Sequence, residues 1–174
     1  MCHNRQQLKR RELLASLPAA ALMVGLVPRS ARANAPEVNL PAPGPRDACP
    51  VCGMLVAKYP DWIATVLWND GEAVHFDGAK DFFKYLADLE KYAPDRRRDE
   101  IVGMGVTEYY GLARVDAQLA LYVLGSDVYG PMGHELVPLA TEPDAADFIR
   151  DHAGKRLVRF DEVDGAGRPR PRMM

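Results

Sequence analysis

Residues 62–89 read WIATVLWNDGEAVHFDGAKDFFKYLADL. Two runs of strand-forming residues, Trp62 to Trp68 and Glu72 to Phe76, flank Asn69-Asp70-Gly71. That tripeptide is hairpin turn chemistry, so the segment predicts a strand and its return strand. From Ala79 to Leu89 the apolar residues recur at helical spacing. Asp77 stands just ahead of this helix as a candidate N-cap. The charged segment Ala93 to Glu100 reads as a loop, and Ile101 to Val106 as a further strand. The order is strand, strand, helix, strand.

The same order recurs downstream. Ala120 to Leu124 reads as a strand, Gly125-Ser126-Asp127 as a turn, and Glu135 to Leu139 as the next strand. Glu142 to His152 reads as a helix, with Thr141 as N-cap and Gly154 just past its end. Leu157 to Phe160 closes the cycle. The helix interiors echo each other, Lys80-Asp81-Phe82-Phe83 against Ala146-Asp147-Phe148-Ile149. The pattern predicts an α+β fold with an internal duplication, against the alternative of a chance echo in a generic α+β domain.

The N-terminus carries a different signal. Lys9-Arg10-Arg11 leads into the apolar run Leu17 to Val27, and Ala31-Arg32-Ala33 follows. Basic, apolar and small-residue regions in that order predict a bacterial export signal over residues 1–33, cleaved near Ala33. The adjacent arginines indicate the twin-arginine route. The apolar run is shorter than the roughly 20 residues of a spanning helix. No cysteine directly follows it. The first 33 residues hold six of the 22 basic side chains and one of the 24 acidic ones. The remainder carries 16 and 23, a formal charge of −7. Such a balance excludes nucleic acid as a partner, because phosphate binding needs a basic surface. Asn34 to Asp47, with four prolines, reads as an extended linker or arm. Asp164 to Met174 is Gly-, Pro- and Arg-rich and reads as a flexible tail.

Two sulfur-bearing motifs carry the chemistry. The first is Cys49-Pro50-Val51-Cys52-Gly53-Met54, the second Gly130-Pro131-Met132-Gly133-His134-Glu135. The Cys-x-x-Cys spacing lets both sulfurs reach one atom or each other, which suits a metal clip, a redox dithiol or a small disulfide. A zinc ribbon is disfavoured, because no second Cys-x-x-Cys pair completes four ligands. A thioredoxin-like site is disfavoured because the motif follows a Pro-rich segment and not a strand of a βαβ unit. Gly53 allows a turn that brings Met54 toward Cys52. Met132, after proline and between glycines, sits in a turn-like setting. Thiolate and thioether donors favour Cu(I) over hard ions. His134 is two residues past Met132 and is a candidate further ligand. His75 and His152 read as structural. No nucleophile pairs with an evident base and no phosphate or dinucleotide loop occurs, so the chain reads as a metal carrier with no catalytic residues. A thiol–disulfide protein using Cys49 and Cys52 is the alternative.

On these motifs the chain resembles the NosL family, the copper chaperones for nitrous oxide reductase. The resemblance covers roughly Asp47 to Val163. It rests on residues 49–54, on Phe76-Asp77 before a Phe-rich helix, on Tyr122-Val123 with Gly125-Ser126-Asp127-Val128, and on Gly130-Pro131-Met132-Gly133 with Glu135-Leu136. It implies two small homologous ββαβ domains, here 48–106 and 107–163. It implies Cu(I) bound in the periplasm and delivered to the reductase together with an ABC-type membrane maturation complex, with no small-molecule substrate. By position the implied ligands are Cys52, Met54 and Met132, with Cys49 and His134 as further candidates. Members of the family are commonly lipoproteins. This chain shows no lipobox cysteine, which points to a soluble periplasmic form after signal cleavage.

Overall fold

The structure is a computed structural model that describes residues 35–164. The expected export signal and everything beyond Asp164 lie outside the described residues.

The opening hairpin forms from β1 (Ala64–Trp68) and β2 (Ala73–Phe76), antiparallel, with Ala64 opposite Phe76 and Leu67 opposite Ala73. Gly71 turns it at φ +88°, a conformation in which a side chain would be strained. Trp62, expected to begin the strand, instead ends a 3-10 turn at Pro60–Trp62. Proline there lacks the amide that a strand ladder uses. Helix α1 (Ala79–Ala87) stops two residues before the expected end, because Asp88 accepts from the Lys91 amide at 3.3 Å and starts a new short helix, α2 (Leu89–Tyr92). β3 (Ile101–Thr107) returns to the free side of β1, and β4 (Arg114–Asp116) pairs with β3. The sheet order is β2-β1-β3-β4. β4 was not anticipated; three residues with one apolar side chain, Val115, carry no readable alternation.

The second cycle contains β5 (Leu121–Leu124), a small hairpin of β6 (Tyr129–Gly130) and β7 (Gly133–His134), then β8 (Val137–Leu139), α3 (Glu142–Asp151) and β9 (Arg156–Arg159). Its sheet order is β8-β5-β9. Both cycles are therefore ββαβ units in which the first strand is central, the second lies on one side and the strand after the helix on the other. The fold is α+β, as expected. Thr141 caps α3 by accepting from the Asp144 amide at 3.1 Å. The helix exits through Ala153 in the left-handed region, φ +53°. Gly154 serves a different purpose: a Cβ there would lie 2.6 Å from Val123 Cγ1.

Strand periodicity sorts the side chains into layers. On β1 and β2, Ala64, Val66, Trp68 and Phe76 point into the main core with α1. On β5, Leu121 and Val123 pack with Phe148 of α3, while Tyr122 joins the main core. Helix α1 thus lies between the two sheets. Phe76 meets Tyr85 at 5.0 Å between ring centroids, Phe83 meets Tyr122 at 5.0 Å and Phe160 at 5.2 Å, and Phe82 stands edge-on to both Phe76 and Phe83. Aromatic pairs of this kind add to their area burial. The Pro-rich arm covers the other face of the first sheet. The Asp116 amide bonds Pro36, the Val38 amide bonds Arg114, and Arg114 Nη1 donates to Leu40 at 3.0 Å. Gly103 and Gly105 leave room for Leu40, whose methyls would lie 3.1 and 2.6 Å from a Cβ at those positions.

Candidate metal centre

Cys49 to Met54 folds into a tight knuckle. The Cys49 amide donates to the Met54 carbonyl and the Gly53 amide to the Cys49 carbonyl, each at 2.8 Å. Gly53 adopts φ +80°, which closes the turn. The closure points backbone amides at sulfur: those of Cys52 and Val51 at Cys49, and that of Met54 at Cys52. Amide donors stabilise a thiolate or metal-bound sulfur that has left water. Both cysteines are free thiols, Cys49 buried and Cys52 half-buried.

Two carboxylates face the sulfurs. Cys52 Sγ donates to Asp77 Oδ1 at 3.1 Å, and Cys49 Sγ to Asp81 Oδ2 at 3.6 Å. One ligand atom from each of Cys49, Cys52, Asp77 and Asp81 lies within 4.8 Å of the others. Both aspartates are buried, and Lys84 Nζ reaches Asp81 at 3.0 Å. Asp77 Oδ2 is buried with no hydrogen-bond partner among the described residues. A buried carboxylate oxygen without a donor is costly, and a bound cation would repay it. Burial pushes the Cys49 thiol up to about 11, against the pull of the amide donors. Burial likewise drives Cys52 far above the ordinary thiol range, and its carboxylate partners raise it further. Both thiols are therefore held protonated, each donating to a facing carboxylate. Two sulfurs fit a soft ion, and the unpartnered oxygen gives any cation a counter-charge.

Asp77 and Asp81 were missed as site residues. Asp77 was expected to cap α1, but the N-cap is Gly78 and no local side chain caps the helix. The cap comes from the second motif instead. Glu135 Oε1 accepts from the Lys80 amide at 2.6 Å and from its neighbour Leu136 at 3.0 Å. A Cβ at Gly78 would lie 2.4 Å from Glu135 Oε2, so glycine makes room for this cap. Relieved of capping, Asp77 turns to Cys52. No local signal marked the pair, because Asp77 precedes the Gly78 N-cap and lies outside the helix that carries Asp81.

The β6–β7 hairpin places Pro131 and Met132 at its two central positions, with Gly130 opposite Gly133. Gly133, φ +84°, completes the turn. Met132 is 45% exposed, so it is a surface side chain and not core filler. Lys80 Nζ donates to the Met132 carbonyl at 3.1 Å and to the His134 carbonyl at 2.8 Å. Met54 is half-buried beside the knuckle. The His134 ring rests against Tyr129, 4.7 Å between centroids, and is not part of the Cys–Asp group. His75 is buried and bonded to Thr65 at 3.0 Å, with burial lowering its pKa, in keeping with a structural role. His152 ends α3, packed on Phe148 and 3.4 Å from Asp127. No helix among the described residues is long and apolar enough to cross a membrane.

Comparison with known proteins agrees with this chemistry. The copper-binding lipoprotein NosL of Stutzerimonas stutzeri is 31% identical over 134 residues, 69% of this chain and 63% of that protein. The match thus spans less than two thirds of the relative's length. The crystal structure of the copper chaperone NosL from Shewanella denitrificans aligns with a TM-score of 0.59 and 26% identity, covering 74% of this chain and 98% of that one. The NosL family profile matches residues 42–166, a stretch that contains both sulfur motifs and both aspartates. The chain belongs to the NosL family.

Proposed function

We propose that this protein is a Cu(I) carrier that receives copper in the periplasm and passes it on for assembly of the copper centres of nitrous oxide reductase. Its partners in this reading are the reductase and its membrane ABC-type maturation complex. The observation that carries the proposal is the Cys49–Cys52 knuckle facing Asp77 and Asp81. Cu(I) is the cargo. The two sulfurs bind it as thiolates, each releasing its proton to solvent. Met54 and Met132 add thioether donors, which need no deprotonation. His134 is a further donor within the same hairpin. A mixed thiolate–thioether site holds Cu(I) yet allows ligand exchange with an acceptor.

The charge pattern of residues 1–33 supports twin-arginine export into the compartment where such an acceptor matures. The thiol–disulfide alternative is weakened by the same geometry. Redox-active Cys-x-x-Cys pairs have a lowered pKa on the attacking thiol, whereas burial raises both thiols here. The test is an anaerobic titration of the reduced protein with Cu(I) against a chromophoric chelator, followed by mixing with copper-free nitrous oxide reductase. The proposal expects one tightly held Cu(I) and its transfer to the reductase. Absence of binding, or binding without transfer, contradicts it at the corresponding step.

A further inference from the structure

Lys80 and Glu135 tie α1 to the second sulfur motif, with Lys80 donating every hydrogen bond, from its backbone and from its side chain. From α1, Lys80 Nζ donates to the carbonyls of Met132 and His134, 3.1 and 2.8 Å away. From the hairpin side, Glu135 Oε1 accepts the backbone amide of that same Lys80 at 2.6 Å. One residue of the helix therefore holds the hairpin by its side chain and is held by its backbone. The lysine precedes Asp81, whose carboxylate takes the Cys49 thiol. Two glycines admit the clasp. A Cβ at Gly78 would come within 2.4 Å of the Glu135 carboxylate, and one at Gly130 within 3.1 Å of Glu135 Cγ. Glu135 is 6% exposed, so the carboxylate is built into the interface and not merely lying on it. A buried carboxylate bonded to a helix-entry amide is a rigid joint, since that amide has no partner inside the helix.

We infer that Lys80 and Glu135 are positioning residues that hold the Met132 turn in register with the Cys49–Cys52 knuckle. The inference rests on the Cu(I)-carrier reading given above. A two-residue turn with an exposed Met132 has little packing of its own. Without the clasp its thioether samples many positions, and its contribution to Cu(I) binding is lost to the cost of ordering it. The clasp removes that cost in advance.

A double-mutant cycle in the full protein tests this. Cu(I) affinity is measured for wild type, Met132→Leu, Lys80→Ala and the double variant, with circular dichroism to verify folding. The Met132 methyl group is followed by carbon-13 NMR on Cu(I) addition. The clasp predicts that Lys80→Ala weakens Cu(I) binding about tenfold or more, the scale of outer-sphere supports. It predicts that Met132→Leu then adds nothing further, and that the Met132 methyl stops responding to Cu(I) in Lys80→Ala. Glu135→Gln keeps the accepting oxygen and should bind like wild type, whereas Glu135→Ala should behave like Lys80→Ala. A Met132 methyl that responds to Cu(I) equally in wild type and Lys80→Ala, with additive affinity losses, overturns the clasp alone. A Met132 methyl silent in wild type overturns both the clasp and Met132 as a ligand.

Discussion

Raising the pH should strengthen Cu(I) binding steeply, and the slope should count the thiolates. Burial holds Cys49 near 11 and Cys52 higher than the ordinary range, so both are protonated in the metal-free protein at neutral pH. Each sulfur that binds Cu(I) must release its proton. The apparent affinity then rises about tenfold per pH unit per thiolate, or about 1.4 kcal/mol. With both cysteines as ligands the gain is about a hundredfold per unit, and about a thousandfold between pH 7 and 8.5. An unperturbed thiol, with a pKa of about 8.5, would begin to flatten within this window; the raised thiols keep the slope beyond it. Thioethers contribute none. The assay is competition with a Cu(I) chelator whose own pH dependence is known, run anaerobically from pH 6.5 to 9. Cys49→Ser should lower the slope of log affinity against pH from about two to about one. A flat profile in the wild type, or a slope unchanged by Cys49→Ser, refutes the reasoning.

Glu135 gives a pH dependence of opposite origin. Burial raises its carboxyl from 4.5 to about 7, so the folded state holds the proton more tightly than the unfolded one. Its contribution is full below the unfolded pKa and is lost as pH rises through about 7, a decline of about 3 kcal/mol. Glu135→Gln should remove that decline in urea melts between pH 5 and 8; an identical decline in the variant contradicts the assignment. Phe83, which touches Phe82, Tyr122 and Phe160 between the two sheets, should cost about 3–5 kcal/mol when replaced by alanine. A loss under about 1 kcal/mol would show that α1 is not the shared core. Gly154→Ala should cost about 1–3 kcal/mol through overpacking, because the new Cβ would meet Val123 at 2.6 Å and the Ile149 backbone at 3.1 Å. A thermal melt unchanged by this substitution would contradict that packing.

The hairpin at Asn69-Asp70-Gly71 and the Thr141 cap were legible because each is written in local chemistry: turn residues between β-rich runs, and a hydroxyl three residues before its amide. The repeated strand, strand, helix, strand order was legible for the same reason. β4 was not, since its pairing depends on β3 and on the arm residues Pro36 to Leu40, which are distant in sequence. The cysteines declared themselves by spacing. The aspartates did not, because an acid before a helix ordinarily caps it. Only the long-range approach of Glu135 to Gly78 and Lys80 supplies a different cap and turns Asp77 toward Cys52. Local grammar therefore revealed the cysteine pair, and tertiary structure revealed the carboxylates that face it.

The most direct test of the central claim is copper K-edge X-ray absorption on the Cu(I)-loaded protein beside its Cys52→Ser variant. A carrier whose copper sits in the Cys49–Cys52 knuckle predicts a first shell dominated by sulfur, with fewer sulfur neighbours in the variant. A shell of oxygen and nitrogen alone, or a sulfur shell untouched by the loss of Cys52, would contradict it.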